Sequence, residues 1–80
     1  MAEVLQPLTS LAVGASATVV EIKLPPASRQ RLMEMGLLAG SRIQLVRYAP
    51  LGDPLEIKVR GYNLTLRKQE AEQILVTPTP

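Results

Sequence analysis

Met33, Glu34 and Met35 set two thioethers around one carboxylate just ahead of Gly36. That is the local grouping most suggestive of metal chemistry. Thioether sulfur favours soft ions such as Cu(I), whereas a ferrous site recruits imidazole or carboxylate. Two residues apart on a helix, the methionines point to different faces and cannot close on one ion. The spacing instead predicts Met35 packed in a core and Met33 at its margin. The chain has no His or Cys, and its seven carboxylates never fall at EF-hand-like or paired spacing. The sequence therefore predicts no metal site and no cofactor.

Catalysis fares no better. Ser, Thr and Lys are present, but no histidine can serve as base, and no glycine loop is placed to cradle phosphate. "GLLAG", residues 36–40, has two glycines, yet a strand follows the second. The predicted protein is not an enzyme.

Eighty residues make one domain, predicted over 1–76 with a frayed tail at 77–80. A chain this short buries only about 60% of its unfolded surface, so almost every strand must feed one core. Nine basic and seven acidic residues are interspersed, for a net charge of +2. That is not the one-sided basic face of a typical nucleic-acid binder. No apolar run nears the roughly 20 residues of a membrane helix, and the N-terminus lacks a signal-peptide profile. A soluble, cytoplasmic protein without membrane insertion is the expectation.

The elements that must position any site follow from periodicity and breakers. Thr9 can cap a single helical turn through Ala12. Gly14 releases the chain into a β-branched run, 17–23, with Thr18, Val20 and Ile22 predicted on one face. Pro25 and Pro26 suit the first turn of a helix, predicted over about 26–35 and stopped by Gly36. Leu32 and Met35 share its apolar side. Gly40 turns the chain into "SRIQLVRYA", with Ile43 and Leu45 inward. Gly52, within "PLGDP", makes the next turn. "LEIKVR" sets Leu55, Ile57 and Val59 on one face and "YNLTLR" sets Tyr62, Leu64 and Leu66 on one, with Gly61 between them predicting a tight hairpin with a glycine bulge. A helical turn at about 68–73 precedes a last strand, "ILV". Five short strands and one helix make a mainly β, strongly bent small barrel, which also removes exposed edges.

In order and spacing, "RLMEMGLLAGSRIQLV" followed by "APLGDPLEIKVRGYNLTLRKQEAEQILV" resembles FeoA, the small cytosolic component of bacterial ferrous iron uptake. The resemblance runs from about Leu8 to Val76. It implies an SH3-like barrel and a partner, the FeoB permease, whose cytosolic part carries a GTP-binding domain. A similar domain ends metal-dependent repressors of the DtxR type, which carry a winged helix ahead of it. These eighty residues show no such segment, which favours the transport accessory. The alternative is a regulatory, protein-interaction domain related to those repressors. A GTPase-activating role, considered for the family by analogy, would call for an arginine finger; nothing selects among Arg31, Arg47 and Arg60.

Binding surfaces remain. Leu37 and Leu38 lie in a connector between glycines, and at most one is predicted to be fully buried. Tyr48, Pro50 and Leu51 occupy or flank a protruding loop. Apolar residues held out by a rigid barrel suit docking, and these five are the candidate partner contacts. Lys58, Arg60 and Arg67 form a basic strand face that could steer an acidic partner. With two tyrosines as the only aromatics, stacking on nucleic acid is disfavoured. Self-association stays open.

Overall fold

Period-two alternation makes the middle of the chain a β-meander. The computed structural model describes residues 5–79. Arg42–Tyr48 (β3), Leu55–Val59 (β4) and Tyr62–Leu66 (β5) are successive antiparallel strands. Ile43, Leu45, Leu55, Ile57, Val59, Leu64 and Leu66 all reach the buried face, as a pleat requires of alternate residues. Ser16–Ile22 (β2) pairs with β3, and Ile74–Pro78 (β6) lies on its other side. The two-residue strand Gln6–Pro7 (β1) pairs with β6, giving the order β1-β6-β2-β3-β4-β5. This sixth strand is too short to carry an alternation.

The faces of β2 depart from the sequence reading. Ala17 and Val19 are buried, and a register shift between Val19 and Glu21 brings Ile22 back to the core. A bulge adds one residue to one strand, inverts the phase beyond it and sharpens the local twist. A second bulge lies between Leu45 and Arg47 in β3. Together they bend the sheet round a core that also takes Leu8, Leu32, Leu37, Ala71, Ile74 and Val76.

The β4–β5 hairpin has a different turn from the one expected. Val59 pairs with Tyr62, so Arg60 and Gly61 form a two-residue turn. Their φ angles are 51° and 88°, the left-handed pair of a type I′ turn. Arg60 thus leaves the strand and takes a conformation that costs a non-glycine residue about 1–2 kcal/mol.

Pro26–Glu34 (α1) ends in a Schellman motif. Gly36, at φ 94°, donates its N–H to Met33 O (2.9 Å), and Leu37 N–H reaches Leu32 O (2.9 Å). That geometry sets Leu37 against Leu32 as its apolar pair, and both are fully buried. Tyr62 Oη donates to the Met35 carbonyl, and Arg31 pairs with Glu70. These ties hold α1 to Tyr62 at the start of β5 and to Glu70 beyond its end; β5 is the last strand of the sheet, where a bare edge invites pairing with another chain.

Two terminal readings change. The 3-10 turn spans Leu8–Ser10 rather than starting at a Thr9 cap, and Ser10 Oγ bonds Pro7 O at 2.7 Å. The tail is not frayed as far as Thr79. Thr77 and Pro78 pair with Thr18 and Ala17, and Thr79 N–H reaches Ser16 O at 3.0 Å. Thr79 donates toward β2, so Pro78's missing N–H faces away from that ladder, a place a strand tolerates proline. Residues 1–4 and 80 of the predicted domain and tail lie outside the described residues. Lys68–Ala71 (α2) begins where expected and ends two residues sooner than predicted.

Candidate docking surfaces

The connector 36–41 is built around Ser41, the one buried polar residue among the described residues. Its Oγ accepts the Leu38 N–H (3.0 Å) and donates to Gly36 O (3.4 Å). Gly40 N–H reaches Val19 O at 2.6 Å. With its backbone so occupied, the connector can turn only one leucine inward. Leu37 is 0% exposed, which removes it from the partner-contact candidates. Leu38 is half-buried and lines a groove of about 360 Å³ between α1 and β2, with Val20, Met33 and Ala39. Met33, missed as a surface residue of interest, is 52% exposed, while Met35 packs against the core.

Tyr48 also leaves the candidate list. It ends β3, half-buried, and its hydroxyl hydrogen lies between the carbonyls of Thr9 (2.9 Å) and Leu11 (2.8 Å). Burial pushes its phenol pKa up. It clasps the N-terminal segment to the sheet. Pro50 and Leu51 stay on the surface, Leu51 at 96% exposure. Their loop is held by Ala49 N–H to Pro54 O (2.9 Å), Gly52 N–H to Ala49 O (2.7 Å), and a cis Asp53–Pro54 bond. Asp53 Oδ1 accepts the Lys68 N–H at 2.9 Å, anchoring the loop to α2.

Leu38 and Leu51 flank opposite ends of β3, whose seven residues span about 20 Å. The apolar candidates therefore form two surfaces, not one. The basic candidates divide too. Lys58 and Arg60 share a cleft with Arg42, whereas Arg67 lies in another with Arg31, Asp53 and Glu70. Arg42 escaped the sequence reading because its neighbours depend on strand register. Between these regions Glu56 binds Arg47 Nε at 3.0 Å and accepts from Asn63. The Arg47 hydrogen bond first, then that of Asn63, outweighs desolvation and holds its carboxyl below the ordinary 4.5.

All five glycines have positive φ, so the predicted turns at Gly14, Gly36, Gly40, Gly52 and Gly61 are turns in the fold. Among the described residues no three His, Cys, Asp or Glu side chains are grouped to hold a metal. No helix there is long and apolar enough to cross a membrane.

A bent six-stranded antiparallel sheet with one helix across its edge defines a small SH3-like barrel domain. The chain belongs to the FeoA family, whose domain model matches residues 6–78. A fusion protein of Fe(2+) transport protein A and the Fe(2+) transporter FeoB from Porphyromonas gingivalis is 36% identical over 69 residues. The match covers 86% of this chain and 8% of that one. The solution structure of a FeoA protein from Chlorobium tepidum is 41% identical with a TM-score of 0.90, covering 94% of this chain and 71% of that one. Stenotrophomonas maltophilia FeoA complexed with zinc, described as a prokaryotic SH3 domain protein, is 29% identical. Its TM-score is 0.74, over 89% and 88% of the two chains. A manganese-dependent transcriptional repressor shares the fold alone, at 16% identity and TM-score 0.88 over 99% of this chain and 44% of that one.

Proposed function

We propose that this domain is a non-catalytic, cytosolic accessory of ferrous iron uptake that docks on the cytosolic part of a FeoB-type permease and modulates transport or GTP turnover. The observation that carries this reading is the Porphyromonas gingivalis chain, in which a 36% identical domain is fused to a transporter named FeoB. Fusion keeps two modules at high effective concentration, which is useful only where they meet. The exposed leucine loop and the Leu38 groove supply the apolar contact, and the basic residues supply steering.

Pull-down with the permease's cytosolic part tests the reading. Leu38→Glu or Leu51→Glu should leave the fold intact, and at least one should abolish capture. Capture of the wild type that survives both substitutions would remove the proposed surfaces. For the metal claim, anaerobic calorimetry with ferrous ion should show no heat of binding; micromolar affinity or tighter would refute it.

A further inference from the structure

Arg42, Lys58 and Arg60 converge on the outer face of the sheet from two strands and a turn. Lys58 pairs with Gln44 and Val59 with Ile43, and Arg60, in the turn just past that ladder, lines the same cleft as Arg42. Ser16 and Gln44 complete a cleft of about 460 Å³ with no carboxylate in its lining. Among the described residues the ion pairs are Arg31–Glu70 and Arg47–Glu56, which leave these three cations out. Like charges gathered across strands are unfavourable, and an anion in the cleft would offset them.

A second observation points the same way. The first position of the β4–β5 turn, at φ 51°, is held by Arg60, where Asn, Asp or Gly would sit without strain. Strained residues are tolerated where they serve a purpose, and the inference runs from the outlier to the function. Here the strained residue is one of the three that build the cationic cleft.

We propose that the Arg42–Lys58–Arg60 cleft receives an acidic segment of the protein on which the domain docks. This rests on the docking reading above and names the chemistry of the partner. The backbone argues for carboxylates spread along a peptide rather than one phosphate. Gly40 and Ser41 N–H groups already bond Val19 O and Leu38 O, so no nest of free N–H groups faces the cleft. Ser41 Oγ is likewise engaged by the connector. Three separate cations on flexible stems remain. Tyr48 and Tyr62 both have their hydroxyls tied within the fold, and neither lines the cleft as a stacking platform for bases. Across the connector lies the Leu38 groove, so one protein segment can meet apolar and cationic surface together.

Fluorescence anisotropy with a labelled hexaglutamate peptide at low ionic strength tests the cleft directly. Arg42→Gln with Lys58→Gln should weaken binding by about tenfold or more, with a steep loss on adding salt. Lys23→Gln, an exposed cation outside the cleft, should bind as the wild type does. Arg60→Asn should weaken binding while raising Tm by a few degrees, because Asn accepts the left-handed turn. Equal loss in Lys23→Gln, or indifference to the cleft substitutions, would overturn the proposal. So would tighter cleft-dependent binding of oligothymidylate or of phosphatidylserine vesicles. The permease's cytosolic part is titrated in parallel. If it binds the wild type and the cleft variants alike, the cleft proposal fails and docking stands. If it binds no form while hexaglutamate binding depends on the cleft, the docking reading fails and the acidic-segment chemistry stands.

Discussion

Two loops at opposite ends of β3 each carry leucine beside glycine, and the fold uses them in opposite ways. The connector 36–41 buries Leu37 completely, while the loop 49–54 leaves Leu51 at 96% exposure. The difference lies in what precedes each loop. The connector follows a helix, and the Schellman closure at Gly36 turns the next residue back onto Leu32. The second loop leaves a strand through a turn whose own bonds run from Ala49 to Pro54 and Gly52, and nothing returns Leu51 to the core. Composition alone does not separate structure from surface here; the cap does.

Substitution of the two leucines gives the widest contrast. Leu37→Ala should cost about 2–5 kcal/mol in urea unfolding, as for a deleted core side chain. Leu51→Ala should stay within about 0.5 kcal/mol of the wild type. Similar losses at both sites would break the comparison.

The glycines sharpen it. Gly36→Ala meets the Tyr62 hydroxyl as well as a left-handed backbone, whereas Gly52→Ala has the backbone problem alone, with nothing within 4 Å. Gly52→Ala should therefore cost about 1 kcal/mol and Gly36→Ala clearly more. Placed on a Tyr62→Phe background, the Gly36→Ala penalty should fall to that of Gly52→Ala in a double-mutant cycle.

Tyr48 stands at the foot of the second loop. Tyr48→Phe removes the donor shared by the Thr9 and Leu11 carbonyls and should lower stability by about 1 kcal/mol. Docking through Leu51 should be untouched, which a pull-down of Tyr48→Phe checks.

The smallest effect concerns pH. Glu56, beside the same loop, is held below 4.5 by Arg47 and Asn63. Its unfolded form binds a proton more readily, so its contribution is present above pH 4.5 and disappears as pH falls through the folded value. Carboxyl NMR should show the lowered midpoint, and Arg47→Gln should return it toward 4.5. An unchanged midpoint would remove Arg47 as the cause.

Much of the architecture was legible from residue order. The alternation of β3 to β5 placed seven inward residues correctly but also set Tyr62 inward, where the structure leaves it 42% exposed at the start of β5; the helix bounds followed from Pro26 and Gly36. Leu37 could also have been placed, since the Met35-Gly36-Leu37 sequence after a helical leucine is the pattern of a Schellman pair. The site was less legible. Arg42 joins Lys58 and Arg60 only through register, and Arg67 leaves them because it sits at the far end of β5.

The sequence by itself determined what depends on chain neighbours: strand periods, helix ends and five left-handed glycine turns. Its family resemblance added the partner expected of the domain. Tertiary structure alone decided which residues face the core beyond the Val19–Glu21 bulge and which cations gather. A bulge reverses every face after it, and cross-strand register brings together residues that no local spacing relates. The helix cap took Leu37 out of the candidate surface and the clasp on Thr9 and Leu11 took Tyr48 out, while register joined Arg42 to Lys58 and Arg60.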